Sequence, residues 1–579
     1  MVLKDQHHSR WSPNFSAEGR VSRGQLMLKF LAPLETCGMR RPGICFPNPR
    51  AVYCCMVERL EVLDRYNLVC HFIDRHLREG RGDKTAIVCG GLQYTYAEIA
   101  AQVNRIGNVL LELGLYEEQR VLLVLPDIPE FAAAYFGTMK IGAVAVPTST
   151  ALRKDDYAYF LEESRAKVAI IHSALLSEFG PALSGQRYCK HVIVCGGAAE
   201  GYLDWNELLK TASHRLEAAP TSKDDVAFWL WTSGSTGRPK AAVHAHRDWF
   251  YCCEYYARGV LDIRAEDITF SSSKLFHAYG LGNGLMFPFH IGATTVLYPG
   301  KPLAKTVLQT AQSNRPSLFF SVPTLYAAML QEAEQAAYDL SSVRLAVSAA
   351  EPLPADIFNR WRDRFGVEIL DGIGSTEVLH IYLSARPGQV RPGSTGQAVP
   401  GYELALLDHA GQPVLPGAIG DLMVAGPSTA HSYWNRQDLT RDRMRGPWFF
   451  TGDKYRVDED GYYWYAGRTD DMFRVSGQWV SPIEVENALI EHSCVLEAAV
   501  IAFEEETGLH TPEAFVVLRE GHTGSAELAR ELQNFVKQRI TPYKYPRRVE
   551  FLAELPKSPA GKLLRYQLRE MSRRAAARP

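Results

Sequence analysis

The sequence predicts an α/β protein whose large N-terminal domain contains mostly parallel sheets flanked by helices. Its 579 residues exceed what one hydrophobic core usually organises, so at least two domains are expected. Short apolar segments alternate with segments of helical periodicity, which is the pattern of βαβ units. At residues 226–240 a run of small, hydroxylated and basic residues directly follows an apolar segment. This run predicts a buried strand that ends in a ligand-binding loop.

The composition excludes several classes of protein. With 46% hydrophobic and 22% charged residues, the chain is typical of a globular protein. Its formal net charge of −2 gives no electrostatic support for a nucleic-acid partner. Spanning a membrane takes about 18 consecutive apolar residues, and the sequence contains no such run. The cysteines, 11 in all, lack paired metal-binding spacing and favour reduced thiols in a cytoplasmic protein.

The first 60 residues carry nine Lys and Arg against four Asp and Glu, without a sustained helical or strand period. We interpret them as a disordered leader, or as an extension translated from a start upstream of the functional one. Met56 is the alternative start. The Arg-rich, acid-poor composition also leaves a transit peptide open.

A series of strands and helices follows the leader. Residues 85–89 predict a strand, and Thr95 with Glu98 forms a capping box that starts a helix. Apolar residues then recur at helical spacing until Gly114, where the helix should end. Further strands are predicted at residues 121–125, 143–146, 168–171 and 192–194, with a helix near 130–141. This alternation predicts largely parallel sheets.

The loop after the apolar segment has the composition of a phosphate-binding loop. Gly234 and Gly237 allow a tight turn close to a ligand, and free backbone N–H groups can form an anion-binding nest. Hydroxyl groups come from Thr232, Ser233, Ser235 and Thr236, and positive charge comes from Arg238 and Lys240. Two residues separate the glycines, and the lysine follows three residues later. The Walker A spacing is therefore absent, and a P-loop kinase or GTPase is not expected.

Two later segments offer oxygen atoms to a nucleotide. In Asp371-Gly-Ile-Gly-Ser-Thr-Glu377, Thr376 offers a hydroxyl to phosphate. Glu377 offers a carboxylate to Mg²⁺, a cation that prefers oxygen ligands. In Thr451-Gly-Asp453 the carboxylate suits the two hydroxyls of a ribose, because it can accept two hydrogen bonds at once.

In this order, these segments resemble the motifs of the adenylate-forming enzymes, a family of acyl-CoA synthetases, peptide-synthetase adenylation domains and luciferases. The resemblance covers residues 63–570. It implies a large AMP-binding domain at residues 61–466 and a small, mobile α+β domain at 472–579, with a hinge at 467–471. Residues 1–60 would precede this unit as the leader.

The resemblance implies roles at single positions. Nucleotide-binding residues would be Thr232, Ser233, Gly234, Ser235, Thr236, Gly237, Lys240, Ala350, Glu351, Asp371, Gly372, Ile373, Asp453 and Arg468. Ala350 replaces a commoner glycine, and Ile373 stands where the wider family often has tyrosine. Catalytic residues would be Thr376, Glu377 and Lys562. A lysine beside the reacting carboxylate and α-phosphate stabilises charge that develops in the transition state.

The C-terminal part would supply the hinge and the coenzyme A tunnel. Asp470 is the implied hinge residue, and Arg474, Ser476, Gly477 and Trp479 would line the tunnel after the small domain rotates. Arg474 stands where benzoate-CoA ligases usually carry lysine, so the charge is kept but not its geometry. Ser481-Pro-Ile-Glu484 predicts a helix start with a capping box and a first-turn proline.

Three segments resemble benzoate-CoA ligases in particular, at residues 278–283, 291–300 and 322–330. The implied acyl pocket consists of His277, Ala278, Tyr279, Gly374, His380 and Ile381. Small residues and flat aromatic walls suit a planar ring, so benzoate is the expected acid. His277 departs from the expected phenylalanine and adds a polar group. It therefore tilts the expectation slightly toward amino- or hydroxybenzoates such as 2-aminobenzoate.

The implied reaction joins a small aromatic carboxylic acid, ATP and coenzyme A. The carboxylate and ATP·Mg²⁺ would give an acyl-adenylate and pyrophosphate, and the thiol of coenzyme A would then displace AMP. An enzyme that loads an aryl acid onto a carrier protein stays open. A non-catalytic nucleotide-binding protein is the other alternative, against which Lys562, Glu377 and Asp453 argue. No membrane or nucleic-acid partner is expected, and a homodimer is left open.

Replacing Asp470 by proline should separate the two half-reactions. Proline restricts backbone rotation, and hinge residues absorb the motion between domain orientations. Adenylation, followed as pyrophosphate release, should survive better than thioester formation. Equal loss of both half-reactions, or no loss, would argue against a hinge at this position.

Overall fold

The computed structural model describes residues 60–232, 238–469, 471–475, 478–505, 510–557 and 563–576. The strands of the N-terminal half are β1 Thr85–Cys89, β2 Leu92–Thr95, β3 Arg120–Val124, β4 Val144–Pro147, β5 Val168–His172, β6 His191–Cys195, β7 Leu203–Asp204, β8 Val226–Thr232, β9 Lys240–Ala245, β10 Ile268–Ser271 and β11 Thr294–Leu297. The next strands are β12 Leu318–Ser321, β13 Leu345–Ser348, β14 Ile369–Gly374, β15 Ile381–Ser384, β16 Gln397–Ala398, β17 Glu403–Leu407, β18 Gly420–Ala425 and β19 Ser432–Tyr433. The last are β20 Met444–Arg445, β21 Trp448–Val457, β22 Tyr463–Arg468, β23 Phe473–Val475, β24 Gln478–Val480, β25 Val495–Glu504, β26 His510–Leu518 and β27 Arg548–Leu552.

Helices alternate with these strands along the chain. The first eight are α1 Arg75–Arg78, α2 Tyr96–Glu112, α3 Pro129–Lys140, α4 Lys154–Ser164, α5 Leu176–Phe179, α6 Trp205–Thr211, α7 Asp248–Cys252 and α8 Ala278–Leu281. The others are α9 Phe287–Ile291, α10 Ala304–Asn314, α11 Pro323–Gln335, α12 Ala355–Phe365, α13 Gln437–Arg443, α14 Pro482–Ile490, α15 Ala526–Arg539 and α16 Arg565–Ala576. In the described parts of the chain, no helix combines the length and apolarity needed to cross a lipid bilayer.

Two large sheets have parallel centres and antiparallel edges. The nine-stranded sheet has the order β16-β15-β14-β13-β12-β10-β11-β1-β2, and its strands from β14 to β1 pair in parallel. The eight-stranded sheet has the order β19-β9-β8-β4-β3-β5-β6-β7, and its strands from β8 to β7 pair in parallel. The predicted α/β fold with mostly parallel sheets is confirmed.

The central strands are buried on both faces. Successive side chains of a strand point to opposite sides of its sheet. In β3, Val121 and Leu123 join a large buried cluster that includes residues of both large sheets and of helices α2 and α3. Leu122 and Val124 face a second cluster, which includes residues of helix α4. Burial on both faces explains why these strands are continuous apolar segments rather than alternating ones.

Local signals placed the first elements correctly. The Thr95 hydroxyl accepts a hydrogen bond from the Glu98 amide at 3.2 Å, and a Glu98 carboxylate oxygen accepts one from the Thr95 amide at 2.7 Å. This reciprocal pair confirms the capping box. Helix α2 ends just before Gly114, whose φ of +74° lies in the left-handed region that favours glycine. The strands predicted at residues 85–89, 121–125, 143–146, 168–171 and 192–194 are present as β1 and β3–β6.

The C-terminal part combines α and β elements around its own core. Strands β25, β26 and β27 form a three-stranded sheet, and β23 pairs with β24. Val485 of α14, Val500 of β25 and Val536 of α15 belong to one buried cluster. This agrees with a small α+β C-terminal domain. The exact domain limits and the hinge stay predictions, and residues 1–59 of the leader lie outside the described residues.

The predicted start of α14 is present with one difference. The Ser481 hydroxyl accepts a hydrogen bond from the Glu484 amide at 3.3 Å, with Pro482 in the first turn. The Glu484 carboxylate binds the Lys544 ammonium, with oxygen–nitrogen distances of 2.7 and 2.6 Å. A charged partner attracts this carboxylate more strongly than a neutral backbone amide does.

Replacing Thr95 by alanine should lower the free energy of unfolding by about 1 kcal/mol, because the first turn of α2 loses its side-chain cap. The measurement is the midpoint and slope of urea unfolding. Thr95→Ser is the matched control, since serine keeps the capping oxygen and should stay near the wild type. Equal stability of the alanine and serine variants would contradict the assigned cap.

Candidate active site

The predicted phosphate loop joins two paired strands. Thr232 ends β8 and pairs with Lys240 at the start of β9, so the residues between them close a hairpin. Five members of the loop lie outside the described residues, namely Ser233, Gly234, Ser235, Thr236 and Gly237. The Lys240 ammonium lies 3.9 Å from the centroid of the Tyr433 ring. Burial lowers the pKa of Lys240, while the charge of Glu377 opposes this shift. Lys240 and Glu377 are therefore electrostatic neighbours.

The buried carboxylate of Glu377 is held in place by the Tyr433 hydroxyl, which donates a 2.6 Å hydrogen bond to Oε1. Hydrogen bonds to ionised oxygens are short and strong. The backbone carbonyl of Glu377 also accepts a hydrogen bond from the Ala430 amide at 2.7 Å. Both the side chain and the backbone of Glu377 are thus positioned by the segment that contains β19.

One positioned carboxylate is compatible with magnesium. Mg²⁺ is usually bound by one or two carboxylates together with substrate phosphates and water, rather than by an all-protein cage. Within the described ranges, no cluster of three or more His, Cys, Asp or Glu side chains could hold a metal ion. Glu377 therefore fits a metal that arrives with the nucleotide, and its role as metal ligand stays a prediction.

The residues predicted for the ribose side lie next to each other. Asp453 of β21 and Arg468 of β22 are cross-strand partners. The Arg468 Nη1 atom donates to Asp453 Oδ1 at 2.9 Å, and the Asp453 amide donates to the Thr451 hydroxyl at 3.0 Å. Gly452 has a φ of +77°, and a Cβ atom there would lie 3.0 Å from the Arg468 guanidinium. Glycine thus lets the arginine reach the aspartate.

The segment predicted for the adenine side contains a strained residue. Ala350 has a φ of +76°, in the left-handed region that costs a residue with a Cβ atom. This conformation explains why glycine is the commoner residue at the position. Next to it, Glu351 accepts a 2.9 Å hydrogen bond from the Thr324 hydroxyl.

Strand β14 carries Asp371, Gly372 and Ile373. Asp371 is the register partner of Ser348 on β13. Burial raises the pKa of Asp371 well above its usual range, which favours the neutral form. The three residues therefore lie at the end of the parallel centre of the sheet, where nucleotide sites of α/β folds are commonly found.

Lys562 lies outside the described residues, but both ends of its loop are placed. Lys557 forms an antiparallel bridge with Leu563, and the Leu564 amide donates to the Pro556 carbonyl at 2.9 Å. Burial raises the pKa of Glu351, and Thr324, the charge of Lys557 and the Leu563 amide oppose this shift. The ends of the predicted catalytic loop therefore lie near the predicted adenine-side residue.

Four of the six residues predicted for the acyl pocket are linked by contacts, namely Tyr279, Gly374, His380 and Ile381. Gly374 is the cross-strand partner of Ile381, and a Cβ atom at this glycine would lie 2.5 Å from the His380 carbonyl oxygen. The Tyr279 hydroxyl donates to the carbonyls of Ser321 at 3.2 Å and Val347 at 3.1 Å. The Tyr279 and His380 ring centroids are 5.7 Å apart. Ala278 precedes Tyr279 at the start of α8.

Two histidines of this group are neutral at neutral pH. Burial lowers the pKa of His380 to about 3 and that of His277 to about 4, so both imidazoles are uncharged near pH 7. The His380 Nε2 atom donates to the Tyr279 carbonyl at 3.4 Å. The ring of His277 lies 4.5 Å from that of Phe276. Each histidine can therefore offer a substrate a hydrogen bond but no positive charge.

The residues predicted for the coenzyme A tunnel are only partly placed. The backbones of Arg474 and Trp479 pair across β23 and β24. Ser476, Gly477 and the predicted hinge residue Asp470 lie outside the described residues. The roles given to these five residues stay predictions.

Sequence reasoning missed the residues that support the site. Tyr433, which binds Glu377, belongs to a two-residue strand without a motif. His244 of β9 reaches the backbone of Thr376, and Asp248 of α7 binds the other nitrogen of His244. Their spacing of four residues was visible in the sequence, but the contact joins segments more than 100 residues apart. A single sequence carries no signal for such a pairing.

A family model described as "AMP-binding enzyme" matches residues 73–434. A second model, "AMP-binding enzyme C-terminal domain", matches residues 484–562. The chain belongs to the AMP-binding enzyme family. The protein is thus an AMP-binding enzyme, and the contacts described above for Lys240, Glu377, Asp453 and Arg468 belong to it.

Relatives of this AMP-binding enzyme include enzymes named as ligases of aromatic acids. The chain is 46% identical to a benzoate–CoA ligase of Thauera aromatica, over 88% of this chain and 97% of that protein. It is 43% identical to a 4-hydroxybenzoate–CoA/benzoate–CoA ligase of Rhodopseudomonas palustris, over 88% and 94%. A crystal structure of an anthranilate CoA ligase in complex with anthranoyl-AMP superimposes with a TM-score of 0.86 at 40% identity, covering 89% of this chain and 99% of that chain.

Replacing Tyr433 by phenylalanine in this AMP-binding enzyme should weaken its affinity for ATP in the presence of Mg²⁺. A hydrogen bond to a charged group contributes about 1.5–3 kcal/mol, so we expect a loss of roughly tenfold or more. Isothermal titration calorimetry with ATP and Mg²⁺ measures it. Tyr338→Phe is the matched control, since it removes a tyrosine–glutamate hydrogen bond of 2.9 Å to Glu332. Equal ATP affinities of the two variants would contradict the role of Tyr433.

Proposed function

We propose that this protein is an ATP-dependent aryl-CoA ligase. It activates benzoate or a ring-substituted benzoate as an acyl-adenylate and then forms the aryl-CoA thioester, releasing pyrophosphate and AMP. The observation that carries the proposal is the convergence of Tyr279, Gly374, His380 and Ile381 on the strand that bears the nucleotide segment. The relatives named as benzoate, hydroxybenzoate and anthranilate CoA ligases support it.

The nucleotide is bound by segments that follow or belong to strands of different sheets. The hydroxyl and N–H groups of the loop that starts at Thr232 hold its phosphates, and Asp453 accepts hydrogen bonds from the ribose. Arg468 forms an ion pair with Asp453 at 2.9 Å, so its guanidinium group lies beside the carboxylate that binds the ribose. Mg²⁺ bound at Glu377 would neutralise phosphate charge and so favour departure of pyrophosphate.

The first chemical step joins the acid to the nucleotide. A carboxylate oxygen attacks the α-phosphorus of ATP, and the bond to the β-phosphate oxygen breaks to release pyrophosphate. Lys562 stabilises the charge that develops between the carboxylate and the α-phosphate. The placement of its loop ends near Glu351 supports this role.

The second step forms the thioester. The sulfur of coenzyme A attacks the acyl carbon, the bond to AMP breaks, and the thiol proton leaves to solvent. Rotation about Asp470 brings the segment that contains Gly477 to the acyl group, so that one pocket serves both steps. Coenzyme A is favoured over a carrier protein because the relatives are named as CoA ligases. A cytoplasmic location and a homodimer stay predictions from the sequence.

The pocket should prefer planar aromatic acids. The flat rings of Tyr279 and His380, with centroids 5.7 Å apart, suit a planar acid, and the neutral His277 can bind an amino or hydroxyl substituent. We therefore expect kcat/KM for benzoate or an ortho-substituted benzoate to exceed that for octanoate, acetate and cinnamate. Among ring-substituted benzoates the differences should be at most about a hundredfold, since apolar pockets reject a small added polar group weakly.

The measurement is a panel of acids at fixed ATP and coenzyme A, with AMP and thioester followed together. A preference for an aliphatic acid would refute the pocket assignment and leave the ligase assignment standing. AMP release without any thioester would instead point to a carrier protein as acceptor.

Replacing Lys562 by alanine should lower the rate of adenylate formation by about 10²–10³, because one positioned charge is lost from the transition state. Carboxylate-dependent pyrophosphate release measures this rate. Lys537→Ala, a change in helix α15, is the control for loss of a lysine and should leave the rate near wild type. Wild-type release by the Lys562 variant would remove this residue from the mechanism.

A further inference from the structure

A buried histidine and aspartate lie behind the nucleotide segment. His244 in β9 and Asp248 at the start of α7 are both fully buried. The imidazole stacks on the ring of Phe228 with an interplanar angle of 10° and a centroid distance of 5.2 Å. This stacking fixes the plane of the imidazole and therefore the directions of its two nitrogen atoms.

Both nitrogen atoms of His244 face hydrogen-bond acceptors. Nδ1 lies 2.9 Å from Asp248 Oδ2, and Nε2 lies 2.8 Å from the backbone carbonyl oxygen of Thr376. Asp248 Oδ2 also accepts a hydrogen bond from the Ala245 amide at 3.0 Å. A carbonyl oxygen can only accept a hydrogen bond, so Nε2 of His244 donates to Thr376 while Asp248 holds the other side of the ring.

The accepting carbonyl belongs to the peptide bond that joins Thr376 to Glu377. It also accepts a hydrogen bond from the Leu379 amide at 3.3 Å, and the two carbonyls that follow it have donors of their own. The Ala430 amide binds the Glu377 carbonyl at 2.7 Å, and the Ser428 hydroxyl binds the Val378 carbonyl at 2.8 Å. With the Tyr433 hydroxyl on the Glu377 carboxylate, this backbone cannot turn without breaking hydrogen bonds in the protein interior, where unpaired polar groups are costly.

We propose that His244 and Asp248 are positioning residues that hold Thr376 and Glu377 in the orientation required to bind ATP·Mg²⁺. The inference rests on the function proposed above for these two residues. His244 acts through the Thr376 carbonyl, and Asp248 acts by orienting the ring of His244. Loss of the pair turns the Thr376–Glu377 peptide and moves both side chains away from the phosphates.

A purely structural role for the pair makes a different prediction. Replacing one member of a buried charged or polar pair lowers stability wherever the pair lies. A positioning role in addition lowers the affinity for ATP·Mg²⁺ and leaves the KM for the acid near the wild-type value. His246 provides the matched comparison, because it is also buried in this segment but accepts its hydrogen bond from the Leu68 amide.

The experiment compares His244→Ala, Asp248→Asn and His246→Ala by calorimetric titration with ATP and Mg²⁺ and by thermal unfolding. We expect roughly tenfold weaker ATP·Mg²⁺ binding for the first two, and a lower melting temperature without this change for His246→Ala. Asp248→Asn keeps the size of the side chain, so it serves if His244→Ala does not fold. Its amide oxygen can still accept from Ala245, but the carboxylate that holds Nδ1 of His244 is lost, so the ring is no longer fixed toward Thr376.

A double-mutant cycle with Glu377→Gln tests the route of the effect. If His244 works through this segment, adding His244→Ala to Glu377→Gln should weaken ATP·Mg²⁺ binding by much less than it does in the wild type. Full additivity overturns the proposal, as does unchanged ATP·Mg²⁺ affinity in folded His244 and Asp248 variants. This experiment measures ATP·Mg²⁺ binding and not catalysis. If the wild-type protein activated no aryl acid, the proposed function would be refuted, while the role of the pair would still be decided by the binding data.

Discussion

The site depends on the buried hydrogen bond between the Tyr433 hydroxyl and the Glu377 carboxylate, at 2.6 Å. Three distant parts of the chain meet there, because Tyr433 pairs through β19 with β9, which follows the loop that starts at Thr232. Glu377 itself follows β14 of the other large sheet. One short contact thus ties the loop predicted to bind phosphate to the segment predicted to bind metal.

The two sheets make this contact available. In the nine-stranded sheet, the parallel pairing of β12, β13 and β14 brings the ends of these strands to one edge. Loops at the carboxyl ends of parallel strands are where α/β folds bind ligands. The Tyr279 hydroxyl joins this edge by donating to a carbonyl at the end of β12 and to one within β13. The residues proposed for the acyl pocket and the nucleotide segment of β14 are therefore built on neighbouring strands of one sheet.

Burial sets the electrostatics of the site. It favours neutral imidazoles at His277 and His380 and a neutral carboxyl at Asp371. Asp453 and Arg468, in contrast, form an ion pair at 2.9 Å. The neutral histidines belong to the pocket proposed for the acid, and the ion pair belongs to the residues proposed for the nucleotide.

The sequence by itself determined the α/β class, the early strands, the cap at Thr95 and the identity of the motif residues. These features depend on local periodicity and on residues within a few positions of each other. The tertiary structure decided how the motifs meet: Gly374 against His380, Tyr433 on Glu377, and His244 on Thr376. It also decided that Ala350 adopts a left-handed conformation and that His277 is neutral. Such contacts join segments far apart in the chain, and burial depends on the whole fold, so no local pattern specifies them.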